Sequence, residues 1–392
     1  MKIAKIETAW LRLPCAEPQG LSGGPMTHST DALCRITTDS GIRGIGEGRG
    51  APLHEICHII QHDFAPLLIN ENPLHNEYLW SKLYGSTIGN AGDVMDSLSR
   101  AESGTVRGAL CAVDLALWDI KGKAAGMSIC ELLGGNPRPV LAYIQKGFYV
   151  EGQTLADMAD EAVYELQAGG YRHLKMRIGR NGIHEAEERV STMRTALGED
   201  TGLMVDVNSA WDAAETVEAA RVLEPYNLVW MEEPVPRTPK GTRNDDYDWN
   251  KTLGRIGEQI SIPLAAGESH RGLYECRELI EHGRPKYMQL DIVKQSGGLT
   301  EWRKVAGMCQ AHGILMAPHH APHFHVQLVA AAPNGYIVEC CDNKRQHPSW
   351  PDLFHGFPEV HDGHMDCPSA PGWGMEINDD MVKNLGTIVS WG

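Results

Sequence analysis

No apolar run in these 392 residues approaches the ~20 needed to cross a bilayer as a helix. The first residues, Met1-Lys-Ile-Ala-Lys-Ile-Glu-Thr, alternate like a strand and lack the long apolar core of an export signal. Basic residues are scarce beside acidic ones: 35 Lys and Arg face 51 Asp and Glu, for a net charge of −16. Phosphate backbones need a basic surface, so the balance argues against nucleic acid as a partner, and nothing points to a membrane. The ten cysteines include no Cys-x-x-Cys pair. Their scatter suits reduced thiols in the cytoplasm better than a disulfide framework or a zinc knuckle. Also missing are an internal repeat and a low-complexity tract. No Gly-x-Gly-x-x-Gly follows the first strand of the α/β region, which removes the main support for a doubly wound dinucleotide fold.

What is present reads as a globular enzyme long enough for one large domain and a smaller one. Residues 1–50 read as antiparallel β: a strand at Lys5–Leu13, then Leu33–Thr38 turning at Asp39-Ser-Gly41 into Ile42–Glu47. Glu17–Ser29 and Gly48–Pro52, rich in Gly and Pro, read as loops. Residues 53–135 switch to helical periodicity, with Leu110, Val113, Leu117 and Ile120 on one face and Gly126 as a stop. Residues 1–135 therefore form an α+β module, bounded by the turn cluster Leu132–Pro137. From Val140–Lys146 onward, strands alternate with amphipathic helices at Leu155–Ala168, His184–Leu197, Ala213–Leu223 and Leu299–His312. Eight strands, the last closing at Glu339, is a barrel count for residues 136–344. Arg237–Asn250 is a polar insertion. Residues 345–392 are expected to fold back over the pocket or onto the first module, completing it.

Within the barrel region, seven apolar runs each end on a charged or imidazole side chain: Lys175 with Arg177, Asp206, Glu232, Glu268, Asp291, His319 and Glu339. Parallel barrels bring such strand ends together on one face, so these seven places build one pocket. Asp206, Glu232 and Glu268 would repel one another and resist burial unless a cation sat among them. All-oxygen ligation favours Mg²⁺ first and Mn²⁺ second. Lys175 and Arg177, two apart on a strand, point the same way. Asp291 and His319 close adjacent strands, and a carboxylate beside an imidazole fixes its tautomer and raises its basicity. His320 is the alternative base if the strand is irregular there.

This constellation resembles the enolase superfamily, in its mandelate racemase subgroup, over essentially the whole chain. Lys175-Met-Arg177 matches the family's Lys-x-Lys motif, with Arg in the second place. Asp206, Glu232 and Glu268 match its three Mg²⁺ ligands, His319 and Asp291 its dyad, and Glu339 its strand-eight electrophilic glutamate. Met316-Ala-Pro-His319 followed by Leu328–Pro333 keeps the family's spacing. The resemblance implies an α/β fold, a modified TIM barrel of (β/α)₇β form with an N-terminal α+β capping domain. It also implies Mg²⁺ as cofactor, catalytic roles for Lys175, Arg177, Asp291, His319 and Glu339, and a homo-oligomer. Asn208, His270, Lys294 and His320 are expected to contact substrate. The shared first step would be removal of the proton α to a metal-bound substrate carboxylate, giving an enediolate.

Arg177 departs from the pattern, because a guanidinium is effectively always protonated and makes a poor second base. Two-base racemisation is thereby disfavoured against β-elimination, in which His319 alone can take the α-proton. The expected activity is dehydration of a sugar acid to a 2-keto-3-deoxy acid. Racemisation, epimerisation and cycloisomerisation through the same enediolate are the alternatives. A zinc hydrolase built from His319, His320, His323 and His325 is a rival class, as is a barrel that only binds ligands. Glu17–Ser29, Gly48–Pro52 and Arg237–Asn250 are the expected specificity loops.

Overall fold

Glycines alternate with larger residues along Gly44-Ile-Gly-Glu-Gly48, and this decides how the N-terminal module packs. In the computed structural model, which describes residues 1–21, 24–50, 52–87, 104–238, 247–294, 296–341 and 350–391, the first three strands form an antiparallel sheet. They are β1 (Ile3–Leu21), β2 (Gly24–Thr38) and β3 (Arg43–Gly48). A Cβ on Gly44, Gly46 or Gly48 would sit 2.0–2.2 Å from backbone carbonyl oxygens of Ala116, Ala112 and Gly108. Only glycine lets the helix Gly104–Ala125 lie this close to β3. Because side chains alternate along a strand, Ile45 and Glu47 face the opposite way, toward the barrel. Ile6, Ile36, Leu110, Val113, Leu117 and Ile120 fill the module's own core.

The Glu17–Ser29 loop expectation is corrected here. β1 and β2 continue as a paired ribbon beyond Pro14, through Gln19↔Met26 to Leu21↔Gly24, with a register shift between Pro14 and Gln19. The glycines and prolines accompany a change of register rather than an unpaired loop. Gly20 then bridges to Tyr149, so the ribbon's tip rests on the barrel.

Six parallel pairings run from β4 to β10, and β11 closes on β4 as a seventh. The strands are β4 (Val140–Lys146), β5 (His173–Arg177), β6 (Gly202–Asp206), β7 (Leu228–Glu232), β8 (Leu264–Ala266), β9 (Tyr287–Met288), β10 (Leu315–Met316) and β11 (Val338–Cys340). A bridge between Met316 and Gly335 completes the circuit. Tyr143, Met204, Trp230, Ala265, Tyr287 and Ile337 pack together inside the barrel. The helices Leu155–Ala168 and Ala213–Leu223 start at capping boxes, Thr154 with Asp157 and Asp212 with Glu215, which satisfy otherwise orphaned N–H groups.

The N-terminal module also grips the barrel at the segment after β9. Trp80 Nε1 donates to Gly297 O at 2.7 Å and Trp118 Nε1 to Thr300 Oγ1 at 2.9 Å. Thr300 N donates to Asp114 Oδ2 at 2.8 Å, and Arg107 pairs with Glu301. The C-terminal segment binds to both parts. The strand His364–Met365 lies antiparallel against β4, while Gly386–Ser390 adds to β1 as an edge of the first sheet. Of the Arg237–Asn250 insertion, residues 239–246 lie outside the described residues. Its end already belongs to a helix, Trp249–Gly257, capped by Asp248. No helix among the described residues is long and apolar enough to cross a membrane.

Candidate active site

Parallel register puts the polar strand ends level. Arg177 lies opposite Asp206, and Asp206 opposite Glu232, so their side chains enter the barrel at one height. Glu268, Asp291 and His319 lie slightly past β8, β9 and β10, on the loops rather than ending the strands as expected. Backbone bonds from Gln289 N to Ala266 O (2.9 Å) and from His319 N to Gln289 O (3.3 Å) hold these extensions in line.

Oxygens of Asp206, Glu232 and Glu268 lie within 4.8 Å of one another. Lys175 Nζ sits among the acids, 2.7 Å from Glu232, 2.9 Å from Glu339 and 3.7 Å from Asp206. Burial acts to lower the Lys175 pKa, but Glu232, then Glu339 and Asp206, outweigh it and hold the ammonium charged. The Arg177 guanidinium pairs with Asp206. Glu232 is pushed well up, first by burial and then by Asp206, against the pull of Lys175. Glu268 goes the other way. Burial acts to raise it, yet His319, Lys294, Lys175 and Arg177 together hold it below the usual carboxylate range.

His319 Nδ1 is 2.9 Å from Asp291 Oδ2, which assigns the proton to Nδ1 and turns Nε2 toward Glu268, 3.2 Å away. Burial acts to raise Asp291, but the bond and charge of His319 prevail and keep it low. His325 ties the two loops that carry this pair. Its Nε2 accepts from Ile292 N at 3.1 Å and its Nδ1 donates to His320 O at 2.7 Å. His323 is directed to Glu47 at 3.2 Å. His323 and His325 are thus engaged elsewhere, so the four histidines do not form the zinc set of the rival hydrolase reading. Ligand atoms of His319, His320 and Glu339 do come within 4.8 Å. However, the two rings stack at 4.1 Å and 9°, and parallel lone pairs do not converge on one ion.

The other expected contacts divide. Asn208, at φ +51, follows the ligand strand and donates its N–H to Asp206 Oδ1 at 2.8 Å. Lys294 Nζ stands 3.6 Å from Glu268. His320 is at the site. His270 is not brought to the carboxylates: its Nε2 lies 2.8 Å from Asn250 Oδ1 and its ring stacks on Trp249 at 4.3 Å. Burial lowers it to about 3, so it is a neutral packing group.

Sequence reasoning missed four residues here. Trp230 Nε1 and Gln289 Nε2 donate to Glu232 Oε2 at 3.2 and 2.6 Å. Both lie two residues before an identified acid, so strand alternation could have found them. Glu233, at φ +34, accepts from Gly267 N and Ser269 Oγ and is raised to about 7, first by burial and then by Glu268. Arg49 lies within the expected specificity loop Gly48–Pro52, which marked the segment but not the residue.

Six carboxylates, Asp206, Glu232, Glu233, Glu268, Asp291 and Glu339, thus meet three permanent cations, Lys175, Arg177 and Lys294. The deficit and the all-oxygen donor set fit a hard divalent ion. Family signatures agree with the site. Residues 5–134 match "Mandelate racemase / muconate lactonizing enzyme, N-terminal domain" and residues 157–381 match "Enolase C-terminal domain-like". The chain belongs to the enolase superfamily, in its mandelate racemase subgroup. Its relatives differ in reaction. It is 30% identical to the arabinonate dehydratase of Saccharolobus solfataricus, over 93% of this chain and 92% of that one. The L-talarate dehydratase of Polaromonas sp. JS666, solved with Mg and L-glucarate, superposes with a TM-score of 0.84 at 30% identity, covering 100% of both chains. A Streptomyces coelicolor A3(2) racemase with bound magnesium gives 0.85 at 26% identity, covering 98% of this chain and 100% of that one. Mg²⁺ is the cofactor that this superfamily site takes.

Proposed function

We propose that the chain is a hydro-lyase that dehydrates a sugar acid, an aldonate or aldarate, to the 2-keto-3-deoxy acid. One observation carries the reading: the site offers a base on one side only. His319, oriented by Asp291, has Nε2 directed at the carboxylate cluster, whereas the facing position on β5 is Arg177, paired with Asp206. A guanidinium gives hydrogen bonds but no lone pair to take a proton. Proton transfer from one face and back to the other therefore lacks its second partner.

In the proposed reaction His319 Nε2 takes the α-proton, breaking the C2–H bond. The electron pair moves onto the substrate carboxylate as the enediolate, then returns to form C2=C3 as the C3–O bond breaks, and protonated His319 gives its proton to the departing hydroxyl, which leaves as water. The enol then takes a solvent proton at C3 and releases its O–H proton to give the keto acid. Lys175, held between Glu232 and Glu339, hydrogen-bonds the substrate carboxylate, and Arg177 and Asn208 hold its oxygens. Asp291 stabilises the charge that His319 carries between the two transfers. Mg²⁺, held by Asp206, Glu232 and Glu268, supplies positive charge against that developing on the carboxylate. The dehydratases among the relatives support the substrate class.

The test is Mg²⁺-dependent formation of a 2-keto acid from a panel of aldonic and aldaric acids, arabinonate and L-glucarate among them. A His319→Asn variant is expected to form none. Epimers without keto acid would replace dehydration with racemisation.

A further inference from the structure

Arg49 follows β3 and reaches from the first module to the loop after β10. Its Nη2 donates to Asp31 Oδ1 at 2.6 Å and its Nε to Glu47 Oε1 at 3.1 Å. The guanidinium lies over the Trp350 ring, 4.4 Å from its centroid. Its backbone N–H donates to Val293 O at 2.7 Å, two residues after Asp291. With those positions fixed, Nη1 comes 3.4 Å from His320 Nδ1. A guanidinium can only donate, so Nδ1 must accept and the ring's proton must sit on Nε2.

The His320 backbone is pinned as well. Its N–H donates to Glu339 Oε2 at 2.8 Å and its carbonyl accepts from His325. His320 and the next residue, Ala321, have φ of +49° and +42°, a strained conformation for residues with a Cβ. On a regular strand, adjacent side chains would face opposite ways. The left-handed turn instead stacks the His320 ring flat on His319 and brings it within reach of Glu339.

We propose that Arg49 is a positioning residue that, through His320, presents a fixed Nε2–H donor beside His319 to hold a substrate hydroxyl or carboxylate oxygen against the base. The class of substrate rests on the function proposed above; the positioning does not. Asp31 and Glu47 serve this role by holding Arg49 in place, and His323 completes the shell from the far side of Glu47.

Long-range ¹H–¹⁵N NMR of ¹⁵N-histidine-labelled, Mg²⁺-loaded enzyme without substrate tests the tautomer, with His320 assigned by its loss in His320→Asn. The wild type is expected to show a neutral Nε2–H ring. Arg49→Lys keeps a charge between the buried acids but cannot span Asp31, Glu47 and His320 together, so its ring is expected to become a tautomer mixture. On whichever panel acid the enzyme dehydrates, Arg49→Lys and His320→Asn are each expected to lower kcat/KM by about 10- to 100-fold. The double variant is expected to lose no more than the worse single variant. A wild-type ring protonated on Nδ1, an unchanged tautomer in Arg49→Lys, or additive losses would each overturn the proposal. If Arg49→Lys does not fold, the wild-type tautomer and the His320→Asn kinetics decide it. An Arg49-dependent Nε2–H ring in an enzyme that dehydrates no panel acid would uphold the positioning and overturn the substrate reading.

Discussion

Replacing Asp291 by Asn changes one atom and is expected to remove most of the activity. Asp291 is 1% exposed, with Oδ2 2.9 Å from His319 Nδ1 and Oδ1 accepting from Val293 N at 2.9 Å. The amide oxygen can serve only one of these donors. Turned to Val293, it aims its NH₂ at His319 Nδ1, which must then accept; the proton moves to Nε2 and the base is lost. Turned to His319, it keeps the tautomer but no longer stabilises the ring's positive charge. Two unit charges about 4 Å apart at an effective dielectric constant near 20 interact by about 4 kcal/mol, close to three powers of ten in rate. The second orientation therefore predicts a fall in kcat of about 10³-fold, and the first, which removes the base, a fall at least as large. None of the Asp291 hydrogen bonds goes to Asp206, Glu232 or Glu268, so Mg²⁺ affinity is expected to hold. The assay is the initial rate of 2-keto acid formation beside a Mg²⁺ titration. A variant within about tenfold of wild type, with normal Mg²⁺ binding, would refute the reasoning.

Further outcomes follow from the same contacts. Arg177→Lys introduces a side chain able to lose its proton, and is expected to yield epimer in D₂O while dehydration falls; no epimer would mean that residue 177 does not decide the reaction. Mg²⁺ at about 100 times its dissociation constant is expected to raise the unfolding free energy by about 2.7 kcal/mol, and Asp206→Asn or Glu232→Gln to abolish the gain; an unchanged thermal shift would contradict the ligand set. Asp114, at the contact with Thr300, is raised from 3.8 to about 7, chiefly by burial. The folded state keeps this proton where the unfolded chain releases it, so Asp114 makes folding less favourable as pH rises from about 4 to 7. Relative to wild type, Asp114→Asn is thus expected to gain up to about 1.4 kcal/mol per pH unit in that window, read by urea unfolding at about pH 5 and about pH 7; a pH-independent difference would contradict it.

The barrel and its carboxylate cluster were legible because both follow period-two or strand–helix rhythm, which is local. Asp206, Glu232 and Glu268 each close an apolar run, and neighbouring strands must then bring them together. The Glu17–Ser29 ribbon was misread because glycine and proline report where a strand can bend, not whether it has a partner; β2 supplies that partner. His270, two positions past Glu268, was expected to contact substrate. The chain turns at Gly267, φ +130°, and the ring is taken by Trp249 and Asn250. The stacking of His320 depends on two left-handed residues without glycine, for which the sequence offers no cue. Arg49 acts across 271 positions, a separation that only the folded chain closes.

The most direct measurement is proton NMR of the Mg²⁺-loaded enzyme with the acid panel in D₂O. One-sided base chemistry predicts new methylene signals at C3 carrying one deuterium, and their absence with His319→Asn. An epimer deuterated at C2, with no methylene appearing, would contradict it, and would require a second base on the face where Arg177 stands.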